Sequence, residues 1–204
     1  MNASVPLSGL SQVNEIICYH EAGHAVMAYL MGREVQGIIL TPNVENTYNG
    51  ETKWGRNQKE RYRYPDVPYD ELGFKPEDNT YGNALVDAAG KAAERLWYRQ
   101  RNLDETLASF GLSSIKDNDE SLLEQELLKK DPQLKQEQLS EAKQFVENFA
   151  IKLLEFETCW EAVDTVAKML LERLQEKPQV KLKLDIASAI FGVFRQAALK
   201  KMRS

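Results

Sequence analysis

Histidine and cysteine are scarce in this sequence: its 204 residues contain two of each. Two thiols, Cys18 and Cys159, are too few for a disulfide framework. No apolar run approaches the roughly 20 residues that span a bilayer. The longest candidates are Ile186–Phe194 and the mixed stretch around Gly37–Leu40. Met1–Leu10 has neither the basic region nor the apolar core of a signal peptide, so the expectation is a cytoplasmic protein without a membrane span. Eleven Gly and seven Pro exclude collagen-like or low-complexity character. Basic residues are outnumbered, 26 Lys+Arg against 31 Asp+Glu, and the net charge of −5 argues against a polyanion-binding surface. No nucleic acid is expected as a partner. With 43% hydrophobic and 28% charged residues, the composition suits one globular domain over 1–204 with a substantial core.

The pattern along that domain is mainly helical. Ser11 is an N-cap for a helix running to about Met31, where Gly32 supplies a stop. Val13, Ile16, Ile17, Met27, Leu30 and Met31 give it a core-facing period. The β-branched stretch Glu34–Leu40 reads as a strand ended by Pro42, and Gly50–Trp54 as its partner. Residues 55–82 read as a surface insertion, because four of the seven prolines fall from Pro42 to Pro76 and five of the eight tyrosines from Tyr48 to Tyr81. Helical periodicity then covers Ala84–Arg101. After a break at Gly111–Asn118 it resumes over Asp119–Lys130, Gln138–Glu155, Cys159–Gln175 and Leu184–Lys200. The expected fold is mainly α (α+β), with a small sheet near the N-terminus and a C-terminal helical bundle.

Both histidines sit in one pentapeptide, His20-Glu21-Ala22-Gly23-His24. Two imidazoles four residues apart lie one turn apart on the same helical face. That spacing lets both bind one Zn²⁺, with the intervening glutamate beside the open coordination position. Zinc lowers the pKa of a bound water to about 7, and the glutamate is placed to accept its proton as general base. Two histidines scattered at random, followed by one of the 21 glutamates, would produce this arrangement roughly once in a thousand sequences. The competing reading is a pair of hydrogen-bonded core histidines. A hydrolytic zinc site needs three protein ligands, and the sequence has no third histidine. Cys18 points about 200° away round the helix, and Cys159 lies on an apolar stripe beside Trp160. Carboxylates remain.

In its context, Tyr19-His20-Glu21-Ala22-Gly23-His24-Ala25-Val26, the motif resembles the peptidase domain of FtsH-type, ATP-dependent zinc metalloproteases. Ile38-Ile39-Leu40-Thr41-Pro42 and Gly50-Glu51-Thr52 look like that family's strand and substrate-holding edge strand. Ala89-Gly90-Lys91-Ala92-Ala93-Glu94 resembles its "GGRAAEE" helix, and Ala142–Leu171 is similar to its C-terminal helices. The resemblance covers about 12–175 and implies a helical zinc-peptidase fold. It also implies one Zn²⁺ per chain, hydrolysis of a polypeptide substrate, and an aspartate third ligand at the start of the helix after the AAEE-type helix. Asp117 and Asp119 compete for that role. From Asp119 apolar residues follow at +4 and +8 (Leu123, Leu127), whereas Asp117 is out of register, so the expected metal set is His20, His24 and Asp119. The alternative is that both aspartates cap a helix. Glu94 has three readings: a direct ligand, a partner holding a histidine N–H, or a solvated helix face. It is left out of the ligand set.

The departures from that family are as informative. The sequence has no Walker-type phosphate loop and no membrane-spanning segment, so the chain is expected to act on unfolded or small substrates or through a separate ATPase partner. FtsH relatives form hexamers, which makes a homo-oligomer the other implied arrangement. Lys53–Tyr64, with five basic residues and interleaved aromatics, reads as a solvated loop beside the substrate strand rather than an RNA or lipid contact. The reading is therefore a zinc metalloendopeptidase with Glu21 as base. The alternative is a catalytically idle domain of the same fold that binds or regulates.

Overall fold

The helix that carries both histidines, α1 (Leu7–Leu30), lies at the centre of the fold. The computed structural model describes residues 7–43, 47–55, 67–73, 81–103, 113–176, 182–184 and 186–203, with the backbone alone for 7–11, 113–117 and 182–184. From Ile16 onward every residue of α1 is buried, the polar His20, Glu21 and His24 included. One core-facing face was the expectation; the helix is covered on all sides instead, and it begins four residues before Ser11. Its end matches the expected stop. Gly32 takes a left-handed φ of 64°, the Arg33 N–H donates to the Ala28 carbonyl (2.8 Å), and the Gly32 N–H to that of Tyr29 (3.0 Å). This Schellman pair satisfies carbonyls that the helix end would otherwise leave open.

α3 (Gly82–Gln100) packs along α1 at unusually close range. Its Ala84, Ala88, Ala89, Ala92 and Ala93 are all buried, and small residues let two backbones approach. A Cβ on Gly23 would come within 2.5 Å of the Ala89 carbonyl oxygen and 2.6 Å of Ala93 Cβ. Even an added methyl there would push the helices apart, at about 1–3 kcal/mol. On another side lies α6 (Glu157–Glu176). Tyr19 fixes the rotation of α1 against it, since its hydroxyl donates to Asp164 Oδ1 at 2.5 Å. The Tyr19 ring also stacks on Trp160 with centroids 5.8 Å apart.

The sheet covers a further part of α1. β1 (Val35–Pro42) and β2 (Tyr48–Trp54) form an antiparallel pair in which Ile38 faces Thr52 and Leu40 faces Gly50. A third strand, β3 (Leu182–Leu184), pairs antiparallel with the other side of β1. This corrects the expectation that the last helix starts at Leu184. The Leu-Lys-Leu alternation has the period of a strand, and the helix, α7 (Ala187–Lys201), begins beyond it. The resulting order, β2-β1-β3, leaves β2 at the edge.

A second correction concerns α4 (Ser113–Lys130). The polar run through Asn118 reads as a break, yet the helix starts at Ser113, six residues before Asp119. Ser and Asp disfavour helix interiors because their side chains compete for the backbone, and here that local preference is overridden. Leu123 and Leu127 of α4 are each 2% exposed, so the core-facing register runs through Asp119. α5 (Gln136–Leu154) joins α6 and α7 in the C-terminal bundle. Trp97, Leu154, Leu170 and Phe194 are wholly buried in a core cluster shared with α1. The chain is mainly α with one small sheet, as the sequence predicts. Of the expected insertion, 56–66 and 74–80 lie outside the described residues, as does most of the basic stretch Lys53–Tyr64. The described remainder includes a short helix, α2 (Tyr69–Leu72), whose Tyr69 is buried and whose Glu71 pairs with Lys201 of α7. No helix among the described residues is long and apolar enough to cross a membrane.

Candidate metal centre

His20 and His24 emerge from α1 toward α3 and α4, over a position where α3 carries no side chain. A Cβ on Gly90 would lie 2.4 Å from His24 Nε2 and 2.5 Å from His20 Nε2. Glycine at this position is therefore what lets the two rings lie against the α3 backbone. The rings meet edge to face with centroids 4.7 Å apart, and each is oriented through its outer nitrogen. His20 Nδ1–H donates to Glu94 Oε1 at 2.7 Å, and His24 Nδ1–H donates to the Val86 carbonyl at 2.6 Å. Both Nε2 atoms consequently turn inward.

Asp119 closes the group from α4. Its Oδ2 lies 2.8 Å from His20 Nε2 and 3.1 Å from His24 Nε2, and the two Nε2 atoms are 3.0 Å apart. With both outer nitrogens donating, neutral imidazoles present lone pairs at Nε2, and a carboxylate oxygen can only accept. Three acceptors thus face one another in a buried triangle, which is stable only with a proton or a cation among them. Tetrahedral zinc, with ligand atoms at about 2.0–2.1 Å, sets them about 3.3 Å apart. The triangle reaches that size by opening a few tenths of an ångström. The buried group His20, His24 and Asp119 can hold a metal ion.

The titration behaviour expresses the same demand for positive charge. Burial disfavours imidazolium at His20, but Asp119, Glu94 and Glu21 outweigh it and hold the group well above its usual value. His24 is also raised, because Asp119 overcomes burial and the repulsion of His20. Burial alone would raise the Asp119 carboxyl, yet the two histidines pull it below the usual carboxylate range.

The structure thus brings together His20, His24 and Asp119, and places Glu94 behind His20 rather than at the inner nitrogens. The Asp117 side chain lies outside the described residues. The cysteines are elsewhere in the core. Burial, with Glu21 and Glu15 nearby, pushes the Cys18 thiol far up, and burial raises Cys159 to about 12. Neither offers a thiolate at neutral pH. Of the three readings of Glu94, the one in which it holds a histidine N–H is what the structure shows, and its place outside the metal-facing group agrees with its exclusion from the ligand set. Glu94 is 2% exposed, and a carboxylate so deeply buried in an Ala-rich helix calls for a partner. We expect Glu94→Gln, which keeps an acceptor but removes the charge that strengthens His20 as a ligand, to weaken metal affinity about 10–100-fold. A chelator-competition titration measures this, and unchanged affinity would deny Glu94 its role.

Glu21 projects from the same helix turn toward the sheet. Thr52 Oγ1 lies 2.6 Å from its Oε2 and 3.0 Å from its backbone carbonyl. A Cβ on Gly50 would reach within 2.3 Å of Glu21 Oε1, so the carboxylate lies directly on β2. Beside it opens a cleft of about 470 Å³, walled by β2 from Asn49 to Trp54 and by Asn118 and Leu122 of α4, with His24, Glu21 and Asp119 at its floor. Lys53, on this wall, pairs with Glu51. No protein-family model matches the chain, and no curated protein matches it.

Proposed function

We propose that this protein is a zinc-dependent metallopeptidase, similar to the peptidase domain of FtsH-type proteases, with His20, His24 and Asp119 as metal ligands and Glu21 as general base. The observation that carries this reading is the convergence of three acceptor atoms, with tautomers set from behind, two of whose residues, His24 and Asp119, line an open cleft beside Glu21 while His20 lies behind them. A zinc ion held there would supply a Lewis acid for a carbonyl and lower the pKa of a water toward 7.

The chain's own residues supply the rest. Glu94 and the Val86 carbonyl hold the imidazoles with Nε2 inward. The Glu21 carboxylate, 2% exposed and on the cleft floor, is the group that accepts a proton from a water and returns it to a leaving amine. Its neighbour β2 is an edge strand, and an extended polypeptide can add to such an edge by backbone hydrogen bonds, which would draw its carbonyls across the floor. The cleft opens to solvent, so a flexible chain is the substrate it suits.

The test is metal analysis of untagged protein together with cleavage of an unfolded polypeptide such as casein. We expect close to one zinc per chain, and cleavage that stops with a chelator and returns with zinc. Absence of zinc after reconstitution would overturn the metal reading. A zinc-loaded protein that leaves casein intact would overturn the peptidase reading and favour a binding or regulatory domain.

A further inference from the structure

We propose that Thr52 is the positioning residue for the general base: its hydroxyl holds the Glu21 carboxylate in the orientation that proton transfer requires. The inference rests on the peptidase reading and adds to it a residue that neither the zinc motif nor the ligand triangle contains.

A glutamate side chain has three rotatable bonds, and one beginning on α1 next to a cluster of cation-seeking groups has more than one place to go. It can reach toward the cleft, or fold back toward the centre formed by His20, His24 and Asp119. Among the described residues, Thr52 is the side chain that bonds this carboxylate, at 2.6 Å from Oε2. The hydroxyl has a single proton and two acceptors within range. The Glu21 carbonyl, at 3.0 Å, is the farther of the two, is uncharged, and lies mid-helix where it accepts from the following turn. The carboxylate is nearer and charged, so the proton goes there, in the stronger class of hydrogen bond.

Two consequences follow for the base. Oε2 is committed to Thr52, leaving Oε1 with acceptor capacity to spare, and Oε1 is the oxygen that lies against Gly50 on the cleft wall. Thr52 in turn is held by the sheet. Its backbone pairs with Ile38 on β1, and Ile38 is wholly buried, so the donor belongs to a rigid element rather than a loop. Gly50 and Thr52 are two residues apart on β2 and face the same side of the strand. One permits the close approach of the carboxylate and the other anchors it.

The test compares Thr52→Val, which keeps the shape and removes the proton donor, with Thr52→Ser, which keeps the donor. For zinc-loaded protein acting on a peptide, we expect Thr52→Val to lower kcat about 10–100-fold, because misplacing a catalytic group by an ångström costs up to about 10²-fold. KM should stay within about twofold and zinc stoichiometry should be unchanged. The thermal midpoint should fall by a few degrees because a buried acceptor loses its donor, and Thr52→Ser should recover most of both kcat and midpoint. A readout independent of turnover is the affinity of a peptide hydroxamate, whose ionisable proton is received by the base. Thr52→Val should weaken it about tenfold in the wild-type background and leave it unchanged in a Glu21→Gln background, since the two residues act as a unit.

Wild-type kcat and hydroxamate affinity in Thr52→Val would overturn the proposal. So would a Thr52→Ser variant as impaired as Thr52→Val, or equal loss with Glu21→Gln in place. If the wild-type protein binds zinc and hydroxamate but cleaves nothing, the peptidase reading fails while the hydroxamate comparison still decides the role of Thr52. If it binds zinc but no hydroxamate, both are overturned.

Discussion

Glu21→Gln is expected to lower peptide hydrolysis about 10²–10⁴-fold while the protein keeps its zinc. The magnitude is that of a general base removed from the transition state, and the substitution is chosen to change little else. Glutamine fills the same space between Gly50 and Thr52, and its amide oxygen can still accept from the Thr52 hydroxyl. Glutamine cannot take up a proton at neutral pH. None of the three metal-facing atoms belongs to Glu21, so zinc content should stay near that of the wild type. The measurement is kcat on a fluorogenic peptide beside metal analysis of the same preparations. Retained activity would remove Glu21 from the mechanism. Loss of zinc together with activity would mean that Glu21 supports the metal rather than the proton transfer. A wild-type protein that carries zinc and is as inactive as the variant is the signature of an idle domain of this fold.

Local pattern makes legible the pair of histidines and the choice between two aspartates, while the resemblance to the FtsH-type peptidase domain is what points to the start of that helix for a third ligand. His20 and His24 need only the helical period to meet, and Asp119 could be favoured over Asp117 because Leu123 and Leu127 continue its face along the same helix. Both burials, at 2% each, place that face in the core. What local pattern missed was decided by tertiary contacts. Nothing within Gly82–Gln100 says whether Glu94 meets solvent or the back of an imidazole 74 positions away in sequence. The start of α4 is not legible because its serines and aspartates are poor helix formers, although that intrinsic preference, at most about 0.7 kcal/mol per residue, is too small to decide a helix boundary by itself. β3 is three residues long and forms only because β1 has a free edge to pair with.

The glycines make the same point from the other direction. Gly23 and Gly90 look like costs in helix interiors, roughly 1 kcal/mol each relative to alanine. The structure gives each a reason. Gly23 lets α1 approach α3, and Gly90 lets α3 accept the imidazoles. A helix-disfavouring residue inside a strong helical pattern was therefore the visible sign of a close approach, although which neighbour approaches could not be read from the pattern. The Gly50–Thr52 pair on β2 hides its role more completely, because threonine is an ordinary strand residue and a strand glycine signals a close approach without naming the neighbour.

Removing the metal should produce the other large effect, and it should grow with pH. The sign follows from the groups in the triangle. In the metal-free protein the His20 pKa lies above its unfolded value of about 6.5. The protonated imidazole therefore stabilises the fold below that value, and the contribution is lost as pH rises through the folded pKa. Asp119 works in the opposite direction: its depressed pKa stabilises the fold above the usual carboxylate value, and that contribution is lost only in strong acid. Above the folded His20 pKa the three acceptors are left facing one another without a positive charge, and zinc restores it. Zinc must also displace the proton that these groups prefer to bind, so its affinity weakens as pH falls. At free zinc about 1,000-fold above Kd the stabilisation is about 4 kcal/mol, which for a chain of this size raises the thermal midpoint by about 8–16 °C. We expect the difference between zinc-loaded and stripped protein to widen steadily from pH 6 to pH 9. In His24→Ala it should fall to about a third or less, because a loss of affinity of about 100-fold from a missing ligand removes about 2.7 kcal/mol of that stabilisation. Scanning calorimetry across that range measures both. A difference that shrinks with rising pH, or that is undiminished in His24→Ala, would place the metal somewhere other than among His20, His24 and Asp119.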